Sequence, residues 1–388
     1  MRESFMDKQI QDSKNKDMRE KKQADGAEEQ AEDHKAKRRL VKNIPLLIAE
    51  ICMLVAAVVI LYVVVTATDE VERRPIDKGR IIINKEVKQT QKKKKEEQKV
   101  SKGYHNIALF GVDARDGQLG RGTRSDTIII ASINLDTQEI KLVSVFRDTY
   151  LNLSNDTYNK CNAAYAQGGP EQAISMLNMN LDLDITDYVT VGFGGLIDSI
   201  DALGGIEMEI QDAEISHLNN YQLTMAEELG VDYTPIEHSG KQLLNGMQAT
   251  AYCRIRYTKG DDFRRAERQR DVLTAMVEKA KEASVSSLKE MVTAILPEVE
   301  TSLGVNDIVS VLGTVAGYNV VASDGFPFED GRVGATVGSK GSCVIPVDLT
   351  DNVTALHELL YPGTEYQPSQ QVHSISLEIA ALTMEYRE

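Results

Sequence analysis

Cysteine is scarce in this chain, with four in 388 residues. Cys52 lies in a long apolar run, and Cys161, Cys253 and Cys343 follow at spacings that match no metal-ligand pattern. That argues against a structural zinc site and against a disulfide scaffold. The three later cysteines allow one internal bridge at most, and the sequence does not say which. Positive charge is also in deficit. Lysine and arginine number 44 against 59 acidic residues, for a formal net charge of −15 and a pI of about 5.0. Nucleic acid is thereby a poor main partner, because little outside short tracts would attract a phosphate backbone. No internal repeat or low-complexity tract is present, which argues against a solenoid. The length and an apolar content of 42% suit one or two folded domains with a large core.

What is present falls into four zones. Residues 1–43 are charged, mixed in sign and poor in apolar side chains, as expected of a largely disordered tail. Ile44–Thr66 is long and apolar enough for a bilayer-spanning helix, which needs about 20 such residues. Its one charge, Glu50, lies in the second turn. Lys35, Lys37, Arg38, Arg39 and Lys42 precede the span, whereas Asp69, Glu70 and Glu72 are the first charges after it. The positive-inside rule then places residues 1–43 in the cytoplasm and the rest of the chain outside, a single-pass protein of the cell membrane. Residues 67–102 form a charged linker whose Lys92–Lys95 run is either a solvated spacer or a contact for anionic headgroups or an anionic wall polymer. Residues 103–388 are left for the extracellular domain.

The arginines of that domain are unevenly spread. Ala251–Asp271 holds six: Arg254, Arg256, Arg264, Arg265, Arg268 and Arg270. The pattern predicts a strand over Tyr252–Tyr257, with Arg254 and Arg256 on one face. After a Gly-Asp-Asp turn it predicts a helix over Phe263–Glu282. Arg265 and Gln269 fall on its apolar stripe of Val272, Leu273, Met276, Val277 and Ala280, while Arg264, Glu267 and Arg268 point away and Arg270 lies at the flank. Inward-facing arginines need an anion or a carboxylate partner. Arg254, Arg256, Arg265 and Gln269 thus converge either on an anionic ligand or on a salt-bridge network with Asp261, Asp262 and Glu267.

A second concentration of charge sits among strands. Asn106–Val112, Thr127–Ile133 and Ile140–Phe146 read as three buried strands. As an antiparallel meander they bring Asp113, Arg124, Asp126, Arg147 and Asp148 to one sheet edge. Carboxylates beside arginines suit a divalent cation holding a pyrophosphate, with arginine forks on the phosphate oxygens. The alternative is that the aspartates cap turns and Arg147 pairs with Asp148. Helices are expected at Pro170–Asn178, Gly195–Leu203, Ser286–Leu296, Val305–Ala316 and Val353–Leu360. Further strands are expected at Asp187–Phe193 and Ile206–Ile210, and the Asn245-Gly246 turn opens a short helix into the arginine strand. Gln211–Ser239 shows no clean period, Arg332–Gly341 reads as a flexible Gly-rich stretch and the C-terminal residues as a weakly determined tail. Strands alternating with helices predict an α/β, three-layer α-β-α domain with a mixed central sheet.

These residues resemble the LytR-CpsA-Psr family of bacterial cell-envelope enzymes. The motifs are Gly111-Val112-Asp113-Ala114-Arg115, Arg124-Ser125-Asp126-Thr127, Val145-Phe146-Arg147-Asp148-Thr149, Asn162-Ala163-Ala164-Tyr165 with Gly168-Gly169-Pro170-Glu171, Asp201-Ala202-Leu203-Gly204-Gly205, Leu244-Asn245-Gly246, and Tyr252-Cys253-Arg254-Ile255-Arg256 leading to Asp262-Phe263-Arg264-Arg265-Ala266-Glu267-Arg268-Gln269. Each alone is weak, and their joint order is specific. Phe146 stands where the family usually has proline, Cys161 and Cys253 where aliphatic residues are usual, and Arg264 where glycine is usual.

The resemblance implies a phosphotransferase that moves a glycopolymer from a polyprenyl-pyrophosphate donor to peptidoglycan. It implies magnesium or manganese held by Asp113 and Asp126. It further implies pyrophosphate bound by Arg124, Arg147, Arg254, Arg256 and Arg265, with Gln269 beside them and Arg115 as a further carry-over. Arg147, Arg254, Arg256 and Asp262 are then the catalytic candidates, Asp262 as a base or as a group that orients an arginine. Two other functions remain open: a polyprenyl-pyrophosphate pyrophosphatase with water as acceptor, and a non-enzymatic regulator of envelope-related transcription. The polymer, whether teichoic acid, capsule or another wall glycan, is not specified.

Overall fold

Alternation of side chains along a strand explains the centre of the fold. In the computed structural model, which describes residues 76–90, 103–112, 119, 122–256, 261–284, 288, 299–303 and 315–387, β1 (Tyr104–Val112) pairs antiparallel with β2 (Ser125–Asn134), and β2 antiparallel with β3 (Glu139–Val145). Ala108, Phe110, Val112, Ile128, Ile130, Val143 and Val145 point into one core. Leu109, Ile129, Ala131, Ile140 and Leu142 point into another on the opposite face. A sheet covered on both faces is why these strands read as unbroken apolar runs. The expected meander is therefore present.

A short hairpin follows, β4 (Tyr150–Asn152) with β5 (Tyr158–Lys160), and then α1 (Asn162–Leu181). Helix α1 is two helical pieces joined at Gly169, whose φ of 67° is open to glycine, with Pro170 opening the second piece. Strand β6 (Asp187–Val191) lies parallel to β1, and α2 (Phe193–Ala202) leads to β7 (Ile206–Ile210). The Gln211–Ser239 stretch is not irregular. Most of it is α3 (Asp212–Leu229), started by a capping box in which Gln211 and Glu214 satisfy each other's backbone N–H groups. Its apolar face is narrow (Leu218, Met225 and Ala226), which is why no clean period shows. Strand β8 (Gly240–Leu244) pairs with β7. Helix α4 (Gly246–Arg254) and helix α5 (Asp261–Glu282) come next.

Beyond α5, β9 (Val299–Thr301) and β10 (Asn319–Phe326) complete a mixed six-stranded sheet in the order β10-β3-β2-β1-β6-β9. The parallel strand β10 gave no clear apolar signal, since only Gly325 and Phe326 at its end are buried. Arg332–Gly341 is not a flexible stretch. It contributes β11 (Arg332–Thr336), which pairs with β12 (Ser342–Pro346). Helix α6 (Leu349–Leu360) follows, and the C-terminal residues form α7 (Gln370–Thr383), started by the Ser369 cap. Helices α1, α6 and α7 cover one face of the sheet through Ile174, Leu177, Val353, Leu356, Val372 and Ile375. Helix α5 covers the other through Leu273. The α/β class and the mixed sheet are as expected. The membrane span at Ile44–Thr66 and the two helices expected at Ser286–Leu296 and Val305–Ala316 lie outside the described residues, or nearly so; among the described residues no helix is long and apolar enough to cross a membrane.

Helix α7 should behave as core and not as tail. Ile375 is buried and Leu377, two residues on, is exposed. Ile375→Ala is expected to lower unfolding free energy by about 2–5 kcal/mol in urea titrations, with Leu377→Ala close to neutral; equal, small effects would show that α7 does not belong to the cooperative core.

Candidate active site

The meander and α5 meet at one end of the sheet. Asp126 stands one residue into β2 and Arg147 two residues after the end of β3. Arg147 Nη1 donates to Asp126 Oδ1 at 2.7 Å. The backbone around Arg147 is pinned: its carbonyl accepts from the Asn162 N–H at 3.1 Å, and the Phe146 carbonyl accepts from the Thr149 N–H at 2.8 Å. The buried Cys161 thiol lies under the same turn, 3.2 Å from the Phe146 carbonyl oxygen. On the α5 side, Asp262 is in the first turn and Arg265 one turn later. Arg265 Nη1 lies 3.0 Å from Asp262 Oδ1, and Arg147 Nη2 lies 3.6 Å from Asp262 Oδ2. Arg256, in the segment before α5, bridges both sides, 3.9 Å from Asp126 Oδ2 and 3.8 Å from Asp262 Oδ1.

Three guanidiniums therefore share two aspartates. Asp148 adds a third carboxylate, 3.6 Å from Arg147 Nε, but it is also held by Lys160 at 3.0 Å. Arg265 is only 5% exposed. Its Nε and Nη1, together with Asp262 Oδ1 and Arg147 Nε, are buried and make no hydrogen bond among the described residues. The 3.0 Å approach of Arg265 to Asp262 is thus a charge contact without hydrogen-bond alignment. Leaving buried guanidinium donors without hydrogen bonds is costly. Burial, and next the charge of Arg147, lowers the Arg265 pKa to about 10. It stays a cation at neutral pH. Burial on its own would also lower the pKa of Arg147, but the charge of Asp126 and its hydrogen bond, aided by Asp262 and Asp148, raise it.

Several expected placements change. The stretch from Tyr252 is the end of α4 and not a strand. Asn245 and Gln248 form a capping box, and Ala249, Ala251, Tyr252 and Cys253 are buried. Gly246 permits the helix to start against the Ile197 backbone, where a Cβ would collide. As the last helical residue, Arg254 does not share a face with Arg256. Its guanidinium carbon lies 4.9 Å from the Phe193 ring centroid and 5.6 Å from that of Tyr221, with no ion pair to a described residue. Arg268 does not point to solvent. It is 1% exposed, and its Nε and Nη2 reach Glu214 Oε1 at 2.9 and 2.8 Å. Arg270 is buried as well, donating to Ser323 Oγ at 2.8 Å. One flank of helix α5 lies against β10 and another is reached by Glu214 from α3, two elements that the sequence pattern did not show. Arg264 is more exposed and pairs with Glu267, as its phase implies.

Arg124 is exposed at the start of β2, and Gln269 is half-buried one turn beyond Arg265. Asp113 and Arg115 lie outside the described residues. Cys161, Cys253 and Cys343 are free, buried thiols. Lys160 and Arg332 were not anticipated. Arg332 lies 4.0 Å from the Phe263 ring centroid and 5.0 Å from that of Phe146, so the aromatic residue at 146 is packed in place beside the site. Nothing in the local pattern marks either cation, because both arrive by tertiary pairing of short hairpins. Among the described residues no three His, Cys, Asp or Glu side chains are grouped to hold a metal. Asp126 nonetheless offers a hard carboxylate oxygen, Oδ2, whose one charged neighbour among the described residues is Arg256 at 3.9 Å, a donor suited to magnesium or manganese.

The protein-family model of the LytR_cpsA_psr family matches residues 78–336. The chain belongs to the LytR-CpsA-Psr family. Among its family relatives, an Enterococcus faecalis polyisoprenyl-teichoic acid–peptidoglycan teichoic acid transferase TagU is 35% identical over 207 residues, which are 52% of this chain and 63% of that protein. The chain thus spans under two thirds of that relative. The crystal structure of Bacillus subtilis TagV is similar to this chain with a TM-score of 0.52 and 25% identity, covering 69% of this chain and 100% of that one. An Enterococcus faecalis crystal structure described as a transcriptional regulator matches with a TM-score of 0.54 and 26% identity, covering 73% of this chain and 95% of that one.

The charge arrangement is testable without an activity assay. Asp126→Asn removes a carboxylate from Arg147 and Arg256. It is expected to lower unfolding free energy by about 1–2 kcal/mol at low ionic strength, less in high salt. Added pyrophosphate is expected to restore it. An Asp126→Asn protein as stable as the wild type, at low salt and without anion, would show that the guanidiniums do not repel one another.

Proposed function

We propose that this chain is a membrane-anchored phosphotransferase acting outside the cell, moving a glycopolymer from a polyprenyl-pyrophosphate donor to peptidoglycan. The observation that carries the reading is the buried Arg265, two of whose nitrogens make no hydrogen bond among the described residues, beside a carboxylate already shared by Arg147 and Arg256. Such a set has a place for an oxyanion with several acceptor oxygens. The family membership and the TagU relative's printed activity support a lipid-linked glycopolymer as the carrier of that anion.

Phosphoryl transfer asks mainly for positioning and charge stabilisation. Arg147, Arg256 and Arg265 grip the pyrophosphate oxygens, and Arg124, exposed at the rim, adds a further cation. A hydroxyl oxygen of peptidoglycan attacks the phosphorus that bears the glycan. The bond from that phosphorus to the bridging oxygen breaks, and polyprenyl phosphate leaves. The hydroxyl proton goes to the Asp262 carboxylate, whose side chain is 38% exposed. A magnesium or manganese ion on Asp126, with Asp113, would supply further charge neutralisation at the pyrophosphate. Arg254, held on the Phe193 and Tyr221 rings, serves the site less directly. The Ile44–Thr66 span keeps the domain at the membrane that holds the donor.

The full chain, supplied with magnesium, a polyprenyl-pyrophosphate saccharide and peptidoglycan, is expected to yield peptidoglycan-linked phosphoglycan. Arg256→Ala and Arg265→Ala are each expected to lower the rate by about 10²–10³-fold. Unchanged transfer by either would remove that residue from the site. Saccharide phosphate released equally with and without peptidoglycan would make the chain a hydrolase. A reporter enzyme that works only outside the cytoplasm is expected to be active when fused after Thr66 and silent when fused before Ile44; the opposite pattern would invert the topology.

A further inference from the structure

Arg256, like Arg147, reaches both aspartates of the site, and its backbone segment sets its position. Its segment leaves α4 at Ile255, whose φ of −60° and ψ of 124° turn the chain out of the helix. The direction of that exit determines where Arg256 points. The Ile255 carbonyl accepts from Arg268 Nη1 at 3.1 Å. Arg268 is 1% exposed and so does not itself reach a ligand. Its other donors, Nε and Nη2, lie 2.9 and 2.8 Å from Glu214 Oε1. The second oxygen of Glu214 accepts from the Gln211 N–H at 2.9 Å, which ties the carboxylate to the first turn of α3. The Arg268 guanidinium also lies 5.6 Å from the Tyr252 ring centroid, in the last turn of α4.

We propose that Arg268 is a positioning residue for Arg256, acting through the Ile255 carbonyl, with Glu214 as the carboxylate that orients Arg268. The planar guanidinium makes this possible: one edge takes Glu214 while the remaining nitrogen reaches the carbonyl, which a lysine cannot do at the same time. A buried ion pair is weak evidence for stability, so its use here is directional: it links α3, α4 and α5 at the point where the chain turns toward the site. This assigns a role to the 211–239 stretch, which supplies Glu214. The inference rests on the pyrophosphate reading of the site.

Inorganic pyrophosphate binding to the full chain, measured by calorimetry with magnesium, tests it. Arg268→Lys is expected to bind about tenfold more weakly while keeping a wild-type circular dichroism spectrum, because a small misplacement of a binding group is costly. In an Arg256→Ala background the same change is expected to cost nothing further. A merely structural role would give additive losses, and additivity, or wild-type affinity in folded Arg268→Lys, would overturn the proposal. If Arg268→Lys does not fold, Glu214→Gln replaces it: the amide keeps an oxygen for Arg268 and loses the charge. Its expected loss is about threefold, again cancelling in the Arg256→Ala background, with the same outcomes overturning the proposal. A wild-type chain that binds no pyrophosphate would overturn the functional reading and this inference together, whereas additive losses in a chain that binds it would overturn this inference alone.

Discussion

Mutual repulsion among Arg147, Arg256 and Arg265 is the constraint around which this end of the molecule is built. Each lies within 4 Å of Asp262, and only Asp126 adds a second well-placed carboxylate for two of them. In water such cations would separate. Here they are held by elements that cannot separate: Arg147 by the end of a central strand, Arg265 by a helix packed across the sheet, and Arg256 by the short exit from α4. The sheet and its covering helices absorb the cost, since their apolar cores are large and fall on both faces of β1, β2 and β3.

A site loaded in this way favours an anion more than its few charges suggest. The buried nitrogens of Arg265 gain hydrogen bonds when an acceptor enters, and an anion there opposes the burial and the Arg147 charge that lower its pKa. Electrostatic catalysis depends on donors that are in place before charge develops. The hydrogen bonds under the Arg147 turn, the Glu214–Arg268 pair and the Phe146–Arg332–Phe263 stack all hold backbone next to the site. Arg332 lies in β11, and Glu214 in a stretch with no evident period. Two segments remote in sequence thus hold the neighbours of the catalytic candidates.

The legible part of the site followed from periodicity that survives folding. β1, β2 and β3 were readable because both of their faces are buried, and the meander then brought Asp126, Arg147 and Asp148 together as the pattern implies. Arg265 was readable because its helix has one strong apolar stripe. Arg254 was misplaced because Tyr252–Tyr257 alternates like a strand, while the Asn245 cap and the alanines before it commit those residues to a helix. Arg268 and Arg270 were misread for a different reason. Phase on a helix separates the two faces only when one face is solvent, and here Glu214 of α3 and Ser323 of β10 meet the flanks.

By itself the sequence determined the three central strands, the α/β class, the arginine-rich helix, the family and the residues from which a site could be made, because burial of whole strand faces and the order of short motifs are local properties of the chain. Tertiary structure decided which arginines meet. It brought Arg147, Arg256 and Arg265 to two shared aspartates, set Arg254 on aromatic rings, and paired Arg268 with Glu214 more than 50 residues away. Charge pairing acts through space at a few ångströms, and no pattern along the chain records which distant carboxylate arrives first.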